Sequence, residues 1–73
     1  QAVISKVKSH YLNHADLSEI DELDGLMVIT EKWWFNLRGS NTEPLLRLNV
    51  EGDTGVIMVS IRDEVLELIA NLK

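Results

Sequence analysis

The length and charge of the chain limit it to one small acidic domain. It has 73 residues, no cysteine and a formal net charge of −5, from seven Lys and Arg against twelve Asp and Glu. The absence of cysteine excludes disulfides and thiolate metal sites, and it is compatible with a reducing cytoplasm. An acidic balance is atypical of proteins that bind nucleic acid or membrane surfaces, so we expect neither partner.

The first third of the chain predicts a helix followed by an edge strand. Apolar residues at helical spacing indicate a short amphipathic helix over residues 2–12. Weak alternation within the acidic stretch 16–24 indicates one short edge strand, and its carboxylates are expected on a solvated surface. The apolar residues of the helix are Val3, Ile4, Val7, Tyr11 and Leu12.

A turn signal and an apolar run predict the next strand. Asp24-Gly25 is typical of a tight turn, and residues 26–30 are then a compact apolar strand. Glu31-Lys32 is expected to reverse the chain, although it lacks the glycine that a two-residue hairpin prefers.

Two alternating segments, residues 33–38 and 45–51, predict strands with one apolar and one polar face. The apolar faces carry Trp33, Phe35 and Leu37, and Leu46, Leu48 and Val50. The polar faces carry Trp34, Asn36 and Arg38, and Leu45, Arg47, Asn49 and Glu51. Pro44 suits the first residue of a strand, where no hydrogen bond of the ladder is lost.

A second amphipathic helix is predicted over residues 54–72. Its apolar stripe consists of Ile57, Ile61, Val65, Leu68 and Leu72. A helix, three or four antiparallel strands and a second helix, each with one apolar face, predict an α+β two-layer sandwich with helices at the N- and C-termini.

The loop RGSNTEP, residues 38–44, has more polar donors than a turn requires. Residues 36–50 sum to +1, because Arg38 and Arg47 outweigh Glu43, whereas the rest of the chain sums to −6. Guanidinium groups match phosphate in a bidentate way, and Gly39 lets the backbone approach a ligand closely. Hydroxyl and amide donors from Ser40, Asn41 and Thr42 complete a set that suits a phosphate monoester.

Ordinary turn chemistry also accounts for Ser, Asn, Thr and Gly in a loop. Arginines on a polar sheet face are commonly solvated. On the residues alone, both the anion site and the plain turn therefore remain open.

The string FNLRGSNTEPLLRLNVEG, residues 35–52, resembles the C-terminal domain of the α-D-phosphohexomutases. It is most similar to the bacterial phosphomannomutase/phosphoglucomutase branch. The motif R-x-S-N-T-E-P, with an arginine three positions after the proline, carries the resemblance, and so does the turn at Asp24-Gly25. The similarity is strong over residues 24–52 and looser over the helices.

By position, the resemblance implies three groups of site residues. The substrate phosphate is bound by Arg38, Ser40, Asn41 and Thr42; loop geometry depends on Gly39, Glu43 and Pro44; and Arg47 is a secondary phosphate contact.

The resemblance also implies that residues 1–73 are the C-terminal, phosphate-binding domain of a four-domain cytoplasmic enzyme. Such an enzyme interconverts hexose 1-phosphate and hexose 6-phosphate through a phosphoserine. Magnesium and the phosphoserine are expected in the other domains, so this domain holds no catalytic or metal-binding residue and is expected to be inactive alone. Its expected partners are the phosphorylated hexose and those other domains. The chain begins with Gln1 rather than Met, as expected of a domain cut from a longer protein or of a processed chain.

Two other functions stay open beside the mutase. One is a stand-alone, non-catalytic module that binds an anion or a phospholigand; the other is an interaction domain. An upstream phosphoserine motif and an aspartate metal loop in the parent gene distinguish the mutase from both.

Histidine, tryptophan and serine side chains are further candidates for function. His10 and His14 lie four apart on the predicted first helix, but a third metal ligand is missing, so both are expected to be exposed. Trp33 is assigned to the core, whereas Trp34 lies on the Arg38 side, where contact with a ligand is the less favoured interpretation. Ser40 is expected to donate a hydrogen bond rather than act as a nucleophile, because no base partner is near in sequence.

Overall fold

Two helices and an antiparallel sheet make up the part of the chain that the computed structural model describes, residues 2–39 and 46–71. The elements are, in chain order, α1 (Ala2–Leu12), β1 (Leu17–Asp21), β2 (Leu26–Thr30), β3 (Trp33–Gly39), β4 (Leu46–Gly52) and α2 (Gly55–Asn71). The strands follow one another across the sheet in the order β1-β2-β3-β4, and each neighbouring pair is antiparallel. The predicted α+β sandwich is confirmed, with four strands. Leu45 and Leu72, predicted at the ends of two elements, lie outside the described residues.

Both helices pack on the same face of the sheet, and the core lies between the two layers. The strands place every second side chain on that face, so the predicted apolar set of β3 is buried and that of β4 is partly buried against the core. Leu12, the last residue of α1, has 51% of its surface exposed. The buried core consists of Val7, Tyr11, Leu26, Val28, Trp33, Phe35, Leu37, Ile61 and Val65.

A buried threonine closes the reversal between β2 and β3. The hydroxyl of Thr30 donates to the carbonyl of Trp33 at 2.9 Å and accepts from the Trp33 amide at 3.1 Å. It also accepts from the amide of Lys32 at 3.3 Å. These bonds supply the geometry that glycine usually provides, which is why Glu31-Lys32 forms a tight turn without one.

The turn between β1 and β2 does require its glycine. Gly25 has φ of +74°, a left-handed conformation that side chains disfavour. A Cβ atom there would lie 2.5 Å from Cβ of Arg38 and 2.6 Å from the carbonyl oxygen of Leu37. The turn therefore packs directly against the end of β3.

A part-buried hydrogen bond links the two helices. The hydroxyl of Tyr11, whose side chain is fully buried, donates to Oε1 of Glu64 at 2.7 Å. Burial and the neighbouring carboxylate raise the pKa of Tyr11 well above its ordinary value, because both disfavour the phenolate.

The second helix begins with a side-chain cap. The hydroxyl of Thr54 accepts from the amide of Ile57 at 3.1 Å, which satisfies one of the free donors of the first turn. Gly52 ends β4 beside this turn, and a Cβ atom on it would lie 2.9 Å from the amide nitrogen of Met58. Neither described helix is long and apolar enough to cross a membrane.

Candidate functional site

The register of the last two strands brings the two predicted arginines together. Arg38 on β3 pairs directly with Arg47 on β4, and both lie on the sheet face that the helices leave uncovered. Residues directly opposite in an antiparallel pair have Cβ atoms about 5 Å apart. The predicted placement of Arg38 and Arg47 on one polar face is thus confirmed, at the end of the sheet where the segment 40–45 connects the two strands.

Arg38 and Arg47 carry like charges at directly opposed positions, and these charges repel each other. The side chain of Arg38 is 41% exposed and Arg47 is exposed, so both guanidinium groups reach solvent. A bound anion between or beside them would relieve the repulsion and accept charge-assisted hydrogen bonds. The arrangement therefore suits an anionic ligand with several oxygens.

One carboxylate contacts Arg38. Nη1 of Arg38 lies 3.2 Å from Oδ2 of Asp24, which belongs to the turn between β1 and β2. The side-chain amide of Asn36 donates to the backbone carbonyl of Asp24 at 2.9 Å. Asp24 was predicted as turn chemistry and surface charge; its contact with Arg38 was not predicted.

The remaining predicted ligands lie in the segment that joins β3 to β4. Gly39 is the last residue of β3 and pairs with Leu46. The other predicted residues lie outside the described ranges, namely Ser40, Asn41, Thr42, Glu43 and Pro44. Their assigned roles stay predictions, which follow from the sequence motif.

A shallow groove of about 380 Å³ runs along the open face next to the arginines. Met27, Trp34 and Asn49 line it, together with Asn36 and Asp24. Trp34 is half-buried and lies on the same face as Arg38, as predicted, whereas Trp33 stacks on Phe35 in the core with ring centres 6.1 Å apart.

The histidine prediction needs a correction. The helix ends at Leu12, so His14 lies beyond it rather than on it. His14 is half-buried, its ring stacks on Tyr11, and its Nδ1 accepts from the amide of Asp16 at 3.1 Å. His10 is exposed, as predicted, and its Nε2 lies 3.7 Å from Oε1 of Glu64. Across residues 2–39 and 46–71, no three His, Asp or Glu side chains are grouped as a metal site would require.

Comparison with known proteins finds a matching family for this chain. The family model described as "Phosphoglucomutase/phosphomannomutase, C-terminal domain" matches residues 1–68. A phosphomannomutase of Methanocaldococcus jannaschii is 43% identical over 70 residues, which cover 96% of this chain and 15% of that protein. A phosphomannomutase of Salmonella montevideo is 41% identical over 69 residues, 93% of this chain and 15% of its own length.

A third relative carries a broader name. Phosphohexose mutases of Xanthomonas campestris pv. campestris are 46% identical over 59 residues, which cover 78% of this chain and 13% of the relative. The chain thus spans about one seventh of the length of the relatives it matches. The match over residues 1–68 and these identities show that the chain belongs to the family of phosphoglucomutase/phosphomannomutase C-terminal domains.

Proposed function

We propose that this domain anchors the phosphate group of a phosphorylated hexose within a phosphohexomutase. The observation that carries the proposal is the direct pairing of Arg38 with Arg47 at the end of the sheet that leads into residues 40–45. Two opposed guanidinium groups in a chain of net charge −5 make a local site for a multivalent anion. The relatives' names supply the substrate class, because they are called phosphomannomutase and phosphohexose mutases.

Within the proposed site, Arg38 is the principal contact and Arg47 the secondary one. Ser40, Asn41 and Thr42 each add neutral donors. Gly39, Glu43 and Pro44 set the shape of the loop. Charge-assisted hydrogen bonds are roughly twice as strong as neutral ones, so most of the affinity is expected from Arg38.

A phosphate anchor contributes to the reaction through position. Holding the phosphate that does not react lets its binding energy place the distant reacting oxygen, which lowers the entropic cost of reaching the transition state. A site that recognises phosphate rather than the sugar ring also accepts either end of a bisphosphorylated intermediate. This domain therefore supplies binding and orientation, while bond breaking belongs to other domains.

The rest of the machinery is proposed for the longer enzyme. The transferred phosphoryl group, the phosphoserine and the magnesium ion are expected in its other domains, and those domains are the proposed partners of this one. Because the family pattern assigns neither the phosphoserine nor the magnesium site to this domain, the 73 residues alone are expected to show no mutase activity. A cytoplasmic location belongs to the same proposal, and the cysteine-free composition is compatible with it.

Steady-state kinetics on a full-length mutase containing this chain test the proposal. Arg38→Ala removes a charged contact worth about 2 to 4 kcal/mol in a desolvated complex, so kcat/KM should fall by about 30- to 1000-fold. Ser40→Ala, Thr42→Ala and Arg47→Ala should each cost less. Arg38→Lys should recover only part of the activity, because a point charge cannot reproduce the bidentate fork.

Circular dichroism is the control for folding. All four positions lie on the polar face or in the connecting segment, so the fold is expected to survive each substitution. A kcat/KM within about threefold of wild type for Arg38→Ala, together with severe loss for Ser40→Ala, would show that the anchor has been assigned to the wrong residue.

A further inference from the structure

We propose that the turn at Asp24 and Gly25 positions Arg38, and that the Asp24 carboxylate orients the guanidinium group for phosphate. The inference rests on the proposed function, since it concerns how the phosphate contact is prepared. Asp24 would be a positioning residue, because it acts on the ligand only through Arg38.

The backbone of the turn packs against the residue that it serves. A Cβ atom on Gly25 would lie 2.5 Å from Cβ of Arg38 and 3.0 Å from its Cα. The close approach is possible because Gly25 lacks a side chain and adopts φ of +74°. The backbone of the turn therefore lies close against Arg38.

A hydrogen bond fixes the same turn to the same strand. Asn36 precedes Arg38 by two residues on the open face, and its Nδ2 donates to the carbonyl oxygen of Asp24 at 2.9 Å. The main chain of Asp24 is thus tied to β3 independently of its carboxylate. Because the main chain of Asp24 is held in place, its carboxylate can restrain the guanidinium group of Arg38.

The geometry of the ion pair leaves the phosphate-binding edge of the arginine out of the contact. Asp24 Oδ2 lies 3.2 Å from Nη1 of Arg38, whereas a side-on bidentate contact with phosphate uses Nε and Nη2. Asp24 can therefore restrict the side chain while that edge points to a ligand. It also offsets the repulsion from Arg47 directly opposite.

The Asp24 carboxylate has two opposing effects on phosphate binding, and their balance decides whether it raises or lowers the affinity. Asp24 repels a phosphate, but its side chain is 78% exposed, so water and salt screen that repulsion. Arginine has one of the largest rotamer entropies of any side chain, and ordering it in advance removes part of the cost of binding. We therefore expect the restriction of Arg38 to outweigh the repulsion.

The test is a titration of the 73-residue chain with inorganic phosphate, followed by ¹⁵N NMR at backbone amides and at Nε of Arg38. The variants are Asp24→Ala and Asp24→Asn. The control is Glu31→Ala, which makes the same charge change at an exposed position in the turn at the other end of β3. The heteronuclear NOE of Arg38 Nε in the ligand-free chain reports the order of the guanidinium group.

Asp24→Ala should lower this NOE and weaken phosphate binding by about three- to fivefold, in line with an exposed ion pair. Asp24→Asn should fall between Asp24→Ala and wild type, and Glu31→Ala should change neither quantity. An unchanged NOE in Asp24→Ala, or phosphate binding as tight as in wild type or tighter, overturns the positioning role. The absence of any phosphate-dependent shift at Arg38 in the wild-type chain would instead refute the phosphate site itself.

Discussion

Replacing Tyr11 with phenylalanine tests how the two helices are held together. The change removes one hydroxyl from a fully buried side chain and leaves its ring packed against Phe35, 5.1 Å between ring centres. The lost bond, 2.7 Å from the hydroxyl to Oε1 of Glu64, has an ionised acceptor. Hydrogen bonds to charged groups contribute about 1.5 to 3 kcal/mol.

The lower end of that range applies here, because the Glu64 side chain is 41% exposed and water can solvate it once the partner is gone. We expect a loss of about 1.5 kcal/mol in the free energy of unfolding. For a domain of this size, such a loss lowers Tm by about 6 to 12 °C.

Urea unfolding monitored by tryptophan fluorescence measures the free energy, and calorimetry gives Tm. Glu64→Gln is the matched control, since its amide oxygen still accepts the bond without a charge, and it should cost less than half as much as Tyr11→Phe. A Tyr11→Phe chain within about 0.5 kcal/mol of wild type would refute the stabilising role of this bond.

Three further predictions concern stability. The pKa of Tyr11 is raised, so above pH 10.0, the ordinary value, the unfolded chain loses a proton that the folded chain keeps. Stability should then fall by about 1.4 kcal/mol per pH unit. Tyr11 is the one tyrosine, so tyrosinate absorbance follows it directly, and a folded chain titrating near the ordinary value would contradict the buried environment. Gly25→Ala should cost about 2 to 4 kcal/mol in urea unfolding, from the positive φ and the overlap with Arg38; a cost below 1 kcal/mol would mean that the turn adjusts freely. Thr54→Ala should lower the free energy of unfolding by about 1 kcal/mol, because the cap on the amide of Ile57 is lost. Thr54→Ser should restore most of that stability. Equal stabilities of the two variants would disprove the cap.

The sheet could be predicted closely from the sequence because its two faces have different environments. One face is buried and the other open, so alternation in residues 33–38 specifies both the strand and its orientation. The same argument put Arg38 and Arg47 on one face, and the register confirms that they are opposite. Local signals were also sufficient for the turn at Asp24 and Gly25.

Contacts between distant segments could not be predicted in this way. Asp24 and Arg38 are 14 residues apart and Tyr11 and Glu64 are 53 apart, and each contact depends on how whole elements pack. The i, i+4 spacing of two histidines suggested a shared helix, although the helix predicted over residues 2–12 and the observed helix both end before His14. An i, i+4 spacing places two side chains on one helix face only where both residues belong to the helix, so the interpretation was wrong for His14.

In the candidate site, too, the sequence predicted what depends on local pattern and missed what depends on contacts between distant segments. Pattern and resemblance were enough to propose Arg38 as the principal phosphate contact, because both its residue type and its position suit that role. The contact between Asp24 and Arg38 depends on a turn in another hairpin, and the acidic stretch around Asp24 gave no sign of it. The roles of Ser40, Asn41 and Thr42 stay predictions from the motif.

Equilibrium binding of phosphorylated and unphosphorylated sugars tests the phosphate anchor most directly. Calorimetry on a full-length mutase containing this chain would compare wild type with Arg38→Ala, using glucose 1-phosphate, glucose 6-phosphate and glucose. If Arg38 binds the phosphate group, the variant should bind both sugar phosphates more weakly by about 30-fold or more, with the affinity for glucose unchanged. Equal affinities of wild type and Arg38→Ala for both sugar phosphates would contradict the claim that this domain anchors the phosphate.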